Sequence, residues 1–145
     1  MSEDTPLTAF DPRFGRGYVA FGALLNGLAL LPSLVRLPDG TGLSTLLVAT
    51  ARPALWSLGL VSFTLVFVLQ RRRTLRSLRG MRVLVPALAC VSPATTLWEL
   101  YRLRDGAAHW LTRGRVMEIG PAVYLVLAAA VFIVYGGARL GLRRS

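Results

Sequence analysis

The stretch "ALWSLGLVSFTLVFVLQRRRTLRSLRGMRVLVPALACVSPATTLWELY", residues 54–101, decides the fold. It reads as an apolar run, a basic cluster and a second apolar run. Ala54–Gln70 carries no charge, and Val83–Tyr101 carries only Glu99. Between them lie Arg71, Arg72, Arg73, Arg76, Arg79 and Arg82. Taken alone, such a cluster suggests a nucleic-acid contact. The net charge of +10 points the same way. The flanking runs argue otherwise, because about a dozen residues between two spans are too few for a nucleic-acid module. Arginines at that position meet anionic cytoplasmic lipid, worth about 1 kcal/mol each near the surface. The expected partner is therefore a bilayer with an anionic cytoplasmic leaflet, and no nucleic acid.

Working outward, two further apolar runs complete the pattern. "YVAFGALLNGLALLPSLV", Tyr18–Val35, has 18 residues and no charge. As a helix it is about 27 Å long, close to the ~30 Å hydrocarbon thickness. The segment before it is long and holds Glu3, Asp4 and Asp11 beside its arginines, so an uncleaved span is expected rather than a signal peptide. "IGPAVYLVLAAAVFIVYGGA", Ile119–Ala138, is the last run. Pro86 and Pro93 predict a bend in the third span, where neighbours can satisfy the freed carbonyls. "LSTLLVATA", residues 43–51, is too short to span; it reads either as a kinked extension of the second span or as an interfacial piece.

Composition agrees. Of 145 residues, 54% are apolar and 17% charged, against a usual charged share of about 25%. A soluble domain of this size would lack polar material for its surface. The expected fold is all-α, a single integral membrane four-helix bundle. Its spans are about 18–35, 54–70, 83–101 and 119–138. Residues 71–82 form a cytoplasmic basic loop, and 36–53 and 102–118 are the outer loops. Eleven arginines then fall on the side of both termini and six on the other, which sets N-in and C-in by the positive-inside rule. Trp56, Trp98 and Trp110 fall on the outer side, at headgroup level. All 17 basic residues are arginine, a bias that a GC-rich bacterial genome produces. The expected location is a bacterial inner membrane.

Few residues suggest chemistry. Asn26, in mid-span beside Ala23 and Gly27, is expected to hydrogen-bond another helix. Glu99 is the one acid well inside a run and is expected to pair with Arg102, three residues on. Glu118 complements a helix N-terminus. Glu99, Asp105, His109 and Glu118 could meet on the outer face, although their spacing forms no ligand motif. Ser92, Thr95 and Thr96 can bond back to their helix or across it. Cys90 is expected to be a small buried apolar residue. Gly137 and Gly141, four apart, suggest a helix contact. One cysteine and one histidine allow no Cys-rich or His-cluster metal site within one chain, and no cofactor is expected. Walker, GxSxG and HExxH motifs are absent. The function expected is a non-catalytic accessory or structural subunit of a larger membrane complex, associating with other membrane subunits or itself. The alternatives are a small oligomeric transporter or channel lined by Asn26 and Glu99, and a membrane enzyme using the outer-face acids and His109.

Overall fold

A computed structural model describes residues 5–8, 11–36, 42–51, 53–104 and 118–141. The chain is mostly helical. Its elements are α1 (Arg16–Leu28), β1 (Ser33–Arg36), β2 (Gly42–Ser44), α2 (Thr45–Ala51), a 3-10 turn (Pro53–Trp56) and α3 (Ser57–Arg71). There follow α4 (Leu75–Arg79), α5 (Leu84–Ala89), α6 (Val91–Arg104), β3 (Glu118–Ile119) and α7 (Pro121–Ala138).

Prolines set most of the boundaries. The expected first helix, 18–35, is corrected here: α1 ends at Leu28 and residues 33–36 form a strand. Pro32 has no N–H and disfavours the helical region for Leu31. The last turn tightens instead, with Leu30 N–H on the Gly27 carbonyl (3.2 Å) and Leu31 N–H on that of Leu28 (3.1 Å). The Pro32 carbonyl accepts from both the backbone N–H and the hydroxyl of Thr45, each at 3.1 Å. Residues 43–51 divide between β2 and the short α2, which leads into the Pro53–Trp56 turn before α3. β1 is the middle strand of a three-stranded sheet in the order β2-β1-β3, antiparallel to both neighbours, with Val35 opposite Leu43 and Ile119. This sheet is a small exception to the all-α expectation.

The third run breaks at Cys90 into α5 and α6. Pro86 and Pro93 each lie in the first turn of their segment, where an absent N–H leaves the helix intact. Pro93 has no N–H for the carbonyl of Ala89, and the helix divides there. Cys90 is exposed, which corrects the expectation that it is buried. Pro121 opens α7 at its first position.

The long segments pack in a ring: α1 on α7 and α3, α5 and α6 on α7, and α6 back on α3. The closest approach is between α1 and α7, which run antiparallel. A Cβ at Gly22 would stand 2.5 Å from Ile133 Cγ1 and 2.9 Å from the Ala129 carbonyl oxygen. One at Gly136 would stand 2.6 Å from Tyr18 Cβ. Small residues let the two backbones meet. Gly137 does the same against Pro86 and Val85 of α5. Two apolar clusters fill the ring. One, near the sheet, includes Leu34, Val35, Leu55, Leu58 and Val126. The other, near the chain termini, includes Val19, Leu65, Leu75, Leu78, Ile133 and Leu140.

Residues 71–82 are more than a loop. Thr74 and Ser77 form a reciprocal cap that starts α4, with the Ser77 N–H on Thr74 Oγ1 (3.3 Å) and the Thr74 N–H on Ser77 Oγ (3.3 Å). The short helix buries Leu75 and Leu78 completely.

Candidate functional site

The polar side chains inside an apolar bundle are where chemistry or specificity can reside. Buried ones among the described residues include Arg16, Asn26, Ser92, Thr96 and Glu99. They fall into three groups.

Asn26 joins α1 to α3. Its amide nitrogen donates to the Leu58 carbonyl (2.8 Å) and to Ser62 Oγ (3.1 Å). Ser62 Oγ donates in turn to the Ala23 carbonyl (2.9 Å), and Gly27 leaves room for that hydroxyl. The amide is thereby engaged in holding two helices together.

The second group lies on α6. Ser92, Thr96 and Glu99 are spaced so that a helix carries them on one face, and all three are buried. Ser92 Oγ and Thr96 Oγ1 have no hydrogen-bond partner, and neither has the buried Ser57 Oγ at the start of α3. Thus Ser92 and Thr96 bond neither back nor across. Glu99 does not pair with Arg102. The Arg102 side chain is exposed, its guanidinium 6.0 Å from the ring centroid of Trp98. Arg13 and Asp11 form an ion pair at 2.8 Å, which holds the Asp11 carboxyl down to about 2.

The third group is basic. The arginine cluster 71–82 divides in the structure. Arg79 Nε donates to the Gly141 carbonyl (3.1 Å) and Arg82 Nε to that of Ala138 (3.0 Å), so both close the C-terminal end of α7. Arg73 Nε donates to the Gln70 carbonyl in the last turn of α3 (3.0 Å). The buried Arg16 reaches the carbonyls of Thr8 (2.9 Å), Asp11 (2.9 Å) and Leu69 (3.0 Å). Cations belong at helix C-termini, where unpaired carbonyls and the helix dipole both favour them. Arg71, Arg72 and Arg76 are exposed, and the Arg71 guanidinium lies 5.4 Å from the Phe67 ring centroid.

The outer-face candidates do not assemble into one described site. Asp105 and His109 lie outside the described residues. Glu118 is in β3, its backbone opposite Arg36, and Glu99 is inside the bundle. Sequence reasoning singled out Asn26 and Glu99 but not the pairing of Ser92 with Thr96 along the Glu99 face. The four- and seven-residue spacing from Ser92 was the available signal.

These features define a small, mostly helical bundle with apolar residues outside as well as inside. Among the described residues, two helices, Pro53–Arg71 and Pro121–Ala138, are long and apolar enough to cross a membrane. Comparison with protein families, curated proteins and solved structures gave no match.

Proposed function

We propose that the chain is an integral membrane protein of the cytoplasmic membrane, crossing it four times with both termini inside. In this reading it serves as a non-catalytic subunit of a larger membrane assembly. The observation that carries the reading is the outer surface of the bundle. Leu24 on α1 is 58% exposed, Phe63 on α3 72%, Leu97 on α6 52% and Val131 on α7 68%. Every long helix turns large apolar side chains outward, and soluble monomers rarely expose continuous surface of this kind. Only 28% and 39% of the two most apolar helices is buried, whereas the core helix of a soluble domain is mostly buried.

The segment lengths fit a bilayer. Residues 53–71 and 121–138 measure about 28 and 27 Å as helices, and α5 and α6, divided at Cys90, about 9 and 21 Å. α1 is shorter, about 20 Å, and is followed after a turn by β1. A strand is acceptable near the membrane only if its backbone groups are paired. β1 is paired on both edges, and Leu34 and Val35 are buried. The exposed Arg71, Arg72 and Arg76 then face anionic headgroups on the cytoplasmic side.

The subunit role is supported by what the interior polar groups do, since Asn26 and the arginines at the helix ends join helices. Purification from native membranes in mild detergent tests it. Co-migration with a second membrane protein is expected, and a chain that migrates alone would refute the role. A second reading, a small oligomeric transporter, is favoured by one observation, the buried stripe on α6. Asn26 would not line its path, because its amide is committed to α3.

A further inference from the structure

A cavity of about 260 Å³ lies between the start of α1 and the end of α3. Gly17 and Ala20 of α1 and Val66 and Leu69 of α3 give it apolar walls. Asp11, Arg16 and Gln70 are its polar lining. Ala20 and Val66 lie about 6 Å further into the bundle than Arg16 and Gln70. The cavity is therefore polar at one end and apolar at the other, and neither water nor hydrocarbon alone matches it. Arg16 donates to the carbonyls of Thr8, Asp11 and Leu69 and so forms part of the wall. Asp11 accepts from Arg13 Nε (3.1 Å) and Nη2 (2.8 Å). Gln70 differs. Its Oε1 accepts from Arg73 Nη2 (3.2 Å), while its amide nitrogen has no hydrogen bond among the described residues. Arg73 is exposed and carries five N–H groups, more than its bonds to the Gln70 carbonyl and Oε1 require. At the apolar end, Val66 is exposed, as are Leu24 and Phe63 a turn deeper on the faces of Ala20 and Val66.

We propose that this cavity seats one glycerophospholipid of the cytoplasmic leaflet. Its phosphodiester oxygens accept from the Gln70 amide and from Arg73, and one acyl chain leaves along Leu24 and Phe63. Pockets between membrane helices on the cytoplasmic side hold lipid headgroups in this way. The phosphodiester is the group recognised, because the site offers hydrogen-bond donors, and Asp11 and Arg13 neutralise each other beside it. The volume is just below the ~300–1,000 Å³ of pockets that enclose a small ligand. It therefore takes the glycerol and the first carbons of a chain, and the rest of the lipid stays in the bilayer. A lipid held at both ends is retained, unlike the exchanging lipids that meet Arg71 and Arg72 from outside.

This site presupposes the membrane-embedded bundle and not the subunit role. The full-length chain is purified in mild detergent, and its bound lipid is counted by native mass spectrometry. A single phospholipid per chain is expected. Ala20→Leu and Val66→Phe fill the apolar end from opposite walls, and each should remove it. Gln70→Leu deletes a hydrogen bond to a charged group and should weaken retention roughly tenfold or more. Val131→Phe, at an exposed position on α7, should retain lipid as the wild type does. After delipidation, phosphatidylglycerol should bind again and raise the unfolding midpoint. Diacylglycerol, which has the chains without the phosphate, and inorganic phosphate, which lacks the chains, should do neither. A wild-type chain without bound phospholipid would overturn the proposal. So would full retention in both Ala20→Leu and Val66→Phe, or diacylglycerol binding as well as phosphatidylglycerol. If the filling variants do not fold, the wild-type count and the diacylglycerol comparison decide. Release of the chain from membranes by a high-salt wash would refute the membrane reading itself, whereas a lipid-free chain that still needs detergent refutes only this site.

Discussion

Asn26 shows what a polar residue contributes inside this bundle. Its amide spans from α1 to α3 and meets both a carbonyl and a hydroxyl. Replacing it with alanine removes both bonds and leaves Ser62 with only the Ala23 carbonyl. Interhelical hydrogen bonds in membranes average about 0.6 kcal/mol and reach about 1.7. Asn26→Ala should therefore destabilise the chain by roughly 1–2 kcal/mol, read as a lower unfolding midpoint in detergent. An unchanged midpoint in Asn26→Ala would mean that these bonds do not hold α1 to α3.

At the scale of elements, glycine decides how near α1 and α7 can come. Gly22 faces Ile133 and the Ala129 backbone at distances that no side chain tolerates. Gly22→Leu should force the helices apart and destabilise by about 3 kcal/mol, at the upper end of overpacking effects. An unchanged unfolding midpoint would mean that this contact does not form. The apolar runs made three of the long segments legible, because length and lack of charge are properties of sequence alone. The first was only half legible. "LLPSLV" is as apolar as the helix before it, and nothing local reveals that Ser33–Arg36 pairs with a strand more than eighty residues away at Glu118. α4 was hidden for a different reason. Six arginines dominate the composition of residues 71–82, while the signal lies in Thr74, Leu75, Ser77 and Leu78. The arginine roles were invisible too, since Arg79 and Arg82 find their acceptors on α7. The Ser92, Thr96 and Glu99 face was present in the spacing, but only burial shows that it points inward.

For the whole molecule, the account depends on one physical statement: the outward apolar shell faces lipid, with the arginine-rich end inside. Arg79 and Arg82 close the C-terminal end of α7, and in the proposed reading the exposed arginines of the same end face headgroups. The opposite end is closed by the sheet and α2. Accessibility of single cysteines tests this most directly. In a Cys90→Ser background, Thr50→Cys reports the sheet end and Arg72→Cys the arginine end, and both native side chains are exposed. Cells are treated with a membrane-impermeant maleimide before and after permeabilisation. The expected result is labelling of Thr50→Cys in intact cells, and of Arg72→Cys only once the membrane is opened. Equal labelling of both positions in intact cells, or the reverse pattern, would contradict the account.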